Sequence, residues 1–570
     1  MNRLQKYVFN GLLLSLVSIL IRSISVSFNI YVSSKVGAEG MGLLNLTASV
    51  YGFAITLATS GINLAVVRLV SGALPYGNEA YFDNRADKRV HKIMRNALFY
   101  CLFFSLLSSV LLFSFADTIG TGALGDRRTV PSLRLLAFTL TPISLSAALN
   151  GYFSAVRRIY KSVIVQICEQ GVKITVVSAL LIAIAPKGLE YACVAVVAGG
   201  AISEAVCVFI SATLYFFDRK IHKNEKFKIV KSARGLENTD TGSRFSQKPP
   251  LKRGLFEIRK VSASLSSKNA TATQAEEKSC SIISVALPVA ISTYVRSALI
   301  TVEHLAIPWG LKKSGASATD ALSSYGILHG MVFPVLLFPS AVLGAFSSLL
   351  IPELSGALEQ ADTKRIRHIA SRVIYFSLLF SIGVSGIFVC FSNQLGTLLY
   401  NSSEAGELIR LLAPLIPLMY LDSSVDAMLK GLGEQLYTMR VNIADAFISV
   451  VLVISLLPSM GIYGYVLVIF LMELFNTSLS IIKLLKITKI KTPVFKWVIK
   501  PLFCVIASTA LTRLFFDFSH LSPFISASLS QRALCVAEIA FCASIYLLLS
   551  RILGAISKDD VSFARAIIKP

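Results

Sequence analysis

The chain has 570 residues, of which 54% are hydrophobic and only 15% are charged, with a net charge of +23. Soluble proteins carry roughly 25% charged residues, so this composition excludes a set of ordinary soluble domains. Many apolar runs reach the roughly 20 residues that a helix needs to cross a bilayer, whereas the strands of a transmembrane barrel would alternate over about 10 residues. The sequence predicts an all-α polytopic membrane protein.

Fourteen apolar stretches of helical length follow one another along the chain, and they are numbered here as spans 1 to 14. They cover residues 8–32, 43–72, 94–116, 132–155, 162–185, 190–217, 281–309, 322–350, 368–391, 405–429, 436–457, 461–482, 497–516 and 532–553. The apolar run of span 1 continues past Arg22 without a small-residue cleavage site, which favours a retained span over a signal peptide. Residues 218–280 are polar, rich in Lys and Ser, and predict a disordered basic linker.

The basic residues are distributed unevenly between the loops. Six basic residues near span ends are counted with the adjoining loops: Arg95, Arg372, Arg440, Lys500, Arg532 and Arg551. The N-terminus, every second loop and the C-terminus then hold 41 Lys and Arg, the alternate loops hold 7, and the spans hold 7. By the positive-inside rule, both termini and the linker are therefore expected in the cytoplasm. The same distribution assigns the positive charge to the membrane surface, so nucleic acid is not expected as a partner.

The chain also repeats itself at a nearly constant offset. Two motifs recur 276 residues later: Lys88-Arg89-Val90 as Lys364-Arg365-Ile366, and Arg134-Leu135-Leu136-Ala137 as Arg410-Leu411-Leu412-Ala413. Six spans per repeat give both halves the same orientation, which predicts two lobes related by a pseudo-two-fold axis with a cavity between them. The expected division is an N-terminal lobe (1–217), the linker (218–280), a C-terminal lobe (281–487), and an appendage of spans 13 and 14 with a cytoplasmic tail (488–570).

Three arginines lie inside predicted spans, where a charge is costly unless it faces a partner or water. Arg22 and Arg296 occupy matching positions near the middle of spans 1 and 7, and Arg68 lies near the cytoplasmic end of span 2. Their guanidinium forks suit phosphate oxygens, which predicts an anion site in the cavity. The alternatives are that Arg296 neutralises Glu303, seven residues later on the same face, and that Arg68 extends to the lipid headgroups.

Acidic residues of the second half form a separate set of candidates. Asp422 and Asp426 on span 10 are four residues apart and carry like charges, so they require cations, protons or water. Asn442 and Asp445 on span 11 could supply oxygen ligands to a small cation.

No catalytic constellation is present in the sequence. It contains no phosphate-cradling GxxxxGK[ST] motif, no HExxH and no GxSxG, so neither an ATP-driven pump nor a membrane hydrolase is indicated. The nine cysteines form no CxxC pair, which argues against a zinc site or a disulfide framework. No enzyme activity, metal or cofactor is expected, apart from a coupling ion, Na⁺ or H⁺.

Several motifs resemble the stage V sporulation protein B family, which belongs to the polysaccharide-exporter branch of the multidrug/oligosaccharidyl-lipid/polysaccharide (MOP) flippase superfamily. In the first half these are Gly37-Ala38-Glu39-Gly40, Tyr51-Gly52, Thr59-Ser60-Gly61-Ile62 and Leu69-Val70-Ser71. In the second half they are Leu287-Pro288, Tyr325-Gly326, Gly330-Met331, Phe338-Pro339, Ile351-Pro352-Glu353-Leu354-Ser355 and Lys430-Gly431-Leu432-Gly433-Glu434. The resemblance covers nearly the whole chain apart from the linker.

The resemblance implies a MATE-like, V-shaped flippase of the bacterial plasma membrane that moves undecaprenyl-diphosphate-linked sugars outward by alternating access. Related lipid II flippases bind the diphosphate with arginines on spans 1, 2 and 7, which Arg22, Arg68 and Arg296 match by span. A groove beside spans 13 and 14 would hold the lipid tail. Some relatives have a sodium site on spans 7, 11 and 12, for which Asn442 and Asp445 on span 11 are the candidate ligands here and Glu303 is the one acidic candidate on span 7. A monomer is expected.

Four functions are compatible with the sequence to different degrees. The leading interpretation is a flippase for lipid-linked oligosaccharide or peptidoglycan precursors, since arginines lead the charges within the spans. A cation-coupled multidrug exporter of the same fold is the alternative, but it would favour an acidic cavity. A polyprenyl-phosphate-dependent transferase would need acidic residues on sizeable outer loops, which are short here. An assembly protein that recruits partners through its basic linker is compatible with transport.

Overall fold

The computed structural model describes residues 3–59, 61–73, 84–156, 158–237, 282–490, 493–518 and 531–556, and every regular element within them is helical. The longer helices are Arg3–Thr59, Ile62–Ala73, Asn84–Ser114, Val130–Ala155, Ile159–Ile184, Leu189–Glu237, Ile282–Lys313, Ala318–Gly326, Ser340–Glu359, Thr363–Tyr400, Ser403–Leu412, Ile416–Gly431, Gln435–Thr488, Lys500–Phe518 and Gln531–Ile552. Shorter π-helical, 3₁₀ and α-helical turns connect several of them.

Among the described residues, 11 helical stretches are long and apolar enough to cross a membrane. Two of them contain a sharp backbone break, at Gly37 (φ 72°) and Gly461 (φ 61°). Glycine adopts this left-handed conformation without a steric penalty, so the chain can turn there and begin another helix. These breaks fall between predicted spans 1 and 2 and between spans 11 and 12. The prediction of an all-helical, multi-pass membrane protein is confirmed, while the exact number of 14 spans stays a prediction.

Equivalent contacts recur in the two halves of the chain at the offset of the sequence repeat. The Ser109 hydroxyl donates to the Ala137 carbonyl at 2.7 Å, and the Ser385 hydroxyl donates to the Ala413 carbonyl at 2.8 Å. In both pairs the second-half residue lies 276 positions after its counterpart. Each bond links the third span of its half to the fourth. The repeat is therefore visible in specific side-chain contacts as well as in sequence.

Spans 2 and 8 are both discontinuous. Span 2 ends one helix at Thr59 and begins the next at Ile62, and span 8 is interrupted between Leu337 and Ser340. A side chain supplied by the fourth span of each half satisfies a carbonyl at each break. These bonds run from the Ser144 hydroxyl to the Ala58 carbonyl at 2.8 Å and from the Tyr420 hydroxyl to the Leu336 carbonyl at 2.6 Å. Ser144 and Tyr420 again differ by 276 positions.

The two halves meet where spans 1 and 2 pack on spans 7 and 8, and we call this contact the seam. The packing is closest near the end that the predicted topology places outside. There, a Cβ atom on Gly326 would lie 2.1 Å from the Ala38 carbonyl oxygen, and one on Gly42 would lie 2.2 Å from that of Leu322. Only glycine permits such a backbone approach, so the seam is tightly closed at this end.

The helix of span 6 differs from its prediction, since it continues from Leu189 to Glu237 instead of ending near residue 217. The added segment is rich in Lys and Arg, contains no proline, and so has good helix propensity even though it lacks apolar periodicity. The rest of the predicted linker, 238–280, lies outside the described residues.

Spans 13 and 14 pack on span 9 of the C-terminal half. The Tyr546 hydroxyl donates to the Leu379 carbonyl at 2.7 Å, and the Arg513 guanidinium donates to the Cys390 carbonyl at 3.2 Å. The predicted appendage is therefore attached to the second half through hydrogen bonds at several depths of span 9.

Candidate functional site

Arg22 lies on span 1 beside the break in span 8. Its side chain is exposed, and its Nη2 atom donates to the Leu337 carbonyl at 3.3 Å. The Ser340 hydroxyl donates to the same carbonyl at 2.6 Å. The break in span 8 thus provides a backbone acceptor that holds the Arg22 guanidinium at the seam between the two halves.

Arg296 lies on span 7, next to residues that bridge to span 2. Its neighbour Ser297 hydrogen-bonds with Thr56 at 3.1 Å, and the Thr301 hydroxyl donates to the Ser49 carbonyl at 3.1 Å. Arg296 itself is exposed, as is Arg68 on the short helix after the break in span 2. The three predicted anion-binding residues are thus on spans 1, 2 and 7, the spans that form the seam together with span 8.

None of Arg22, Arg68 and Arg296 lies within ion-pair distance of a carboxylate among the described residues. Many other basic residues of the described chain do form ion pairs: Arg128, Arg134, Arg158, Lys161, Arg365, Lys430 and Lys483. The predicted alternative of an Arg296–Glu303 pair is not formed in this structure. The Glu303 carboxylate instead accepts a hydrogen bond from the Ser449 hydroxyl of span 11 at 2.7 Å.

The predicted ion-coupling residues lie in the C-terminal half. One carboxylate oxygen (Oδ1) of Asp422 and one of Asp445 are buried without a hydrogen-bond partner in the described part of the chain. The Asp426 carboxylate lies 3.7 Å from Lys430 Nζ, and the Asn442 amide donates to the Thr438 carbonyl at 2.8 Å. Two of the four predicted residues therefore present unsatisfied oxygens, and the other two have partners.

Electrostatic interactions connect these carboxylates across spans 7, 10, 11 and 12. Asp445 interacts with Glu303 and with Arg296, while Glu473 of span 12 interacts with Asp422 and Asp445. The sequence alone gives Glu473 no role, because this carboxylate has no visible partner along the chain. Within the described residues, no three His, Cys, Asp or Glu side chains converge closely enough to hold a metal ion. The set is therefore an extended acidic region.

An all-helical, multi-pass protein with broken helices at the seam between two halves has the architecture of a secondary transporter. Comparison with known proteins specifies this class. The sequence pattern of the polysaccharide biosynthesis protein family matches residues 8–236, and that of the MatE family matches residues 314–455. The stage V sporulation protein B of Bacillus subtilis (strain 168) is 24% identical over 561 residues, which are 98% of this chain and 97% of that protein.

Solved structures show the same fold. The lipid II flippase MurJ in an inward closed conformation matches with a TM-score of 0.61 at 12% identity, covering 95% of this chain and 98% of that one. An inward-facing multidrug resistance MATE family transporter of the MOP superfamily matches with a TM-score of 0.55 at 15% identity, covering 84% of this chain and 100% of that one. The predicted resemblance is confirmed: the chain is a homologue of stage V sporulation protein B with the fold of MOP superfamily transporters.

Proposed function

We propose that the protein is a flippase that moves lipid-linked cell-envelope precursors, with a saccharide or peptidoglycan unit on undecaprenyl diphosphate, from the inner to the outer leaflet. One observation carries the proposal: Arg22, Arg68 and Arg296 are exposed, lie on three of the four spans that form the seam, and form no ion pair with a carboxylate of the described residues. The near relative in sequence and the MurJ-like fold support this substrate class.

Guanidinium groups at the seam suit a diphosphate for two reasons. Each can donate two parallel hydrogen bonds to phosphate oxygens, and such charge-assisted bonds are shorter and stronger than neutral ones. Arg22 and Arg296 also lie near the middle of predicted spans, where an unpaired cation is otherwise unfavourable and a bound dianion would compensate it. Arg22 is already oriented by the Leu337 carbonyl, so less side-chain entropy is lost when a ligand binds.

The proposed architecture has 14 spans in two six-span lobes, related by a pseudo-two-fold axis along the membrane normal. It is supported by the equivalent Ser109 and Ser385 bonds, the paired breaks in spans 2 and 8, and the MATE-like fold. Both termini lie in the cytoplasm of a bacterium in this proposal, as the distribution of basic residues indicates. Alternating access would open and close the seam, and the groove at spans 13 and 14 would hold the lipid tail.

The proposed coupling ion is Na⁺ or H⁺, bound by Asp422, Asp426, Asn442 and Asp445. The buried, unpartnered Oδ1 atoms of Asp422 and Asp445 support this assignment, because a buried carboxylate requires a proton or a cation to offset its desolvation. The same acidic region favours the second candidate function, a cation-coupled multidrug exporter, since it could bind an organic cation. The arginines on the spans of the seam favour the flippase, because they would repel an organic cation and attract a diphosphate.

Ligand-induced thermal stabilisation of the purified protein tests the diphosphate site. Undecaprenyl diphosphate should stabilise the wild type, and Arg22→Ala or Arg296→Ala should weaken its binding about ten- to a hundredfold, the equivalent of a lost charged hydrogen bond of about 1.5–3 kcal/mol. Lys replacements should recover only part of the affinity, because an ammonium lacks the fork. Arg367→Ala is the matched control, since Arg367 is also exposed and donates to the Thr488 carbonyl at 3.2 Å but lies just before span 9, outside the seam and the proposed lipid groove.

The double variant Arg296→Ala/Glu303→Gln separates ligand binding from a structural role of Arg296. A binding role predicts that the double variant binds the diphosphate as weakly as Arg296→Ala alone. Recovery of binding in the double variant would show that Arg296 acts by neutralising Glu303. Stabilisation by organic cations and none by the diphosphate would favour the exporter.

A further inference from the structure

Two histidines and two tyrosines from spans 7, 8 and 12 form a buried polar cluster in the C-terminal half. The Tyr325 hydroxyl and His304 Nδ1 are 2.9 Å apart, and His329 Nε2 and the Tyr465 hydroxyl are 3.2 Å apart. The two imidazole rings meet edge to face, with centroids 4.7 Å apart and an interplanar angle of 68°. Tyr325 and Tyr465 are 0% and 3% exposed, so these hydrogen bonds lie within the protein interior. We call these four residues the His–Tyr cluster.

The charged and titratable groups around the His–Tyr cluster are mainly acidic. Glu303, next to His304 on span 7, interacts electrostatically with Tyr325 and Tyr465. From span 11, the Ser449 hydroxyl donates to Glu303, and Asp445 interacts with it electrostatically. From the helix that follows span 9, Glu404 accepts a bond at 3.1 Å from Ser324, the residue before Tyr325. Around Gly326 and Gly330 of span 8, the first helix presents neutral groups: Ala38, Met41 and Asn45.

The His–Tyr cluster is mechanically connected to the seam. His329 lies in the π-helical segment Ile327–Val332, an uncommon local geometry that is often found at functional sites. The next residue, Gly330, accepts a 2.6 Å hydrogen bond on its carbonyl from the Asn29 amide of span 1. One turn earlier, Gly326 packs against the Ala38 carbonyl. A displacement of His329 would therefore move Gly330 and Gly326, which contact the first helix across the seam.

We propose that the His304–His329 pair binds one proton, with Glu303 as its counter-ion, and that this proton controls closure of the seam at its outer end. Two adjacent imidazolium groups would repel each other, so the pair takes a single proton, which adds to an imidazole nitrogen lone pair. The tyrosine hydroxyls can rotate to donate to a neutral imidazole or accept from a protonated one. The role of this proton in driving transport rests on the proposed flippase function. The assignment of the proton-binding site does not.

The direction of the effect follows from burial. A charge in the closed, buried cluster is unfavourable, whereas opening the seam admits water that solvates it. Protonation therefore stabilises the open seam, and deprotonation stabilises the closed one. In a transport cycle the proton would enter from outside when the seam is open and leave toward the cytoplasm after the seam closes.

Double electron–electron resonance, which measures the distance between two spin labels, tests this proposal on the full-length protein without any lipid substrate. Spin labels at Lys35→Cys and Thr319→Cys, both exposed residues on opposite sides of the seam, report its opening in a cysteine-free background. Between about pH 8 and pH 5, where histidines titrate, the wild type should shift to longer distances. His304→Asn and His329→Gln, which retain the hydrogen-bonding position of the imidazole without its charge, should abolish the shift.

His91→Gln is the matched control, because His91 is exposed on the helix Asn84–Ser114, just before span 3, and should leave the pH-dependent shift intact. If the isosteres compromise folding, as judged by thermal stability, Tyr465→Phe provides a milder test and should move the midpoint of the shift. A shift that persists in the double His304→Asn/His329→Gln variant, or no shift in the wild type, refutes the proposal. If the histidine variants lose the shift and the wild type does not bind undecaprenyl diphosphate, the proton site is upheld and the flippase function is rejected.

Discussion

Replacing Gly326 by alanine should prevent the seam from closing. The added Cβ would lie 2.1 Å from the Ala38 carbonyl oxygen and 2.5 Å from the Gly42 backbone nitrogen, both of them backbone atoms that cannot rotate away. Spans 2 and 8 would have to separate by more than 1 Å to restore van der Waals contact (about 3.5 Å between heavy atoms). Overpacking of this kind costs about 1–3 kcal/mol, and here only the closed state incurs the cost.

A cost of about 1–3 kcal/mol that applies to one state shifts the ratio of closed to open protein by about 5- to 150-fold. The assay is the distance distribution between labels at residues 35 and 319, which should move to longer values at neutral pH. Alanine also has a higher helix propensity than glycine, so the overall thermal stability should change little. Gly344→Ala is the control, since its Cβ would meet nothing within 4 Å. An unchanged distance distribution in Gly326→Ala would contradict the assignment of this contact as the outer closure.

Three further outcomes follow from the structure. Ser144→Ala and Tyr420→Phe should each lower the free energy of unfolding by about 1–3 kcal/mol, because each leaves a buried carbonyl at a helix break without a donor. A variant as thermally stable as the wild type would contradict this. Asp218→Asn should destabilise the protein by about 3–5 kcal/mol, since Asp218 is fully buried and paired with both Arg158 and Lys161; a matched Asp320→Asn change, at an exposed residue, should have little effect. Deletion of 240–278 should leave insertion and flipping intact, as measured in proteoliposomes, and loss of flipping in a correctly inserted protein would show that the linker takes part in transport.

Much of the fold was predictable because membrane helices obey strong compositional rules. Apolar runs located the spans, and the exclusion of unpaired backbone groups from lipid required them to be helices. The repeat was visible in basic loop motifs such as Lys364-Arg365-Ile366, and it recurs in the structure as equivalent hydrogen bonds. The breaks in spans 2 and 8 had sequence signals in Gly61 and Pro339, but hydropathy alone reads each of these spans as continuous.

The details of the site were less accessible from sequence. The spacing of Arg296 and Glu303 made a contact on one helix face an alternative to the anion site, yet Glu303 bonds to Ser449, a residue 146 positions away. The His–Tyr cluster joins positions 304, 325, 329 and 465, and only the packing of span 12 against spans 7 and 8 brings them together. Glu303-His304 was visible as an isolated polar pair, but nothing in the sequence indicated its partners.

Outward movement of a lipid-linked saccharide in reconstituted vesicles tests the central claim most directly. Wild-type protein should expose an undecaprenyl-diphosphate-linked donor to a membrane-impermeant probe on the opposite leaflet. Arg22→Ala and Arg296→Ala should slow this movement at least about tenfold, as expected from the loss of one charged hydrogen bond, while Arg367→Ala retains it. Failure of the wild type to move the donor, or equal rates in the wild type and the two seam variants, would contradict the account.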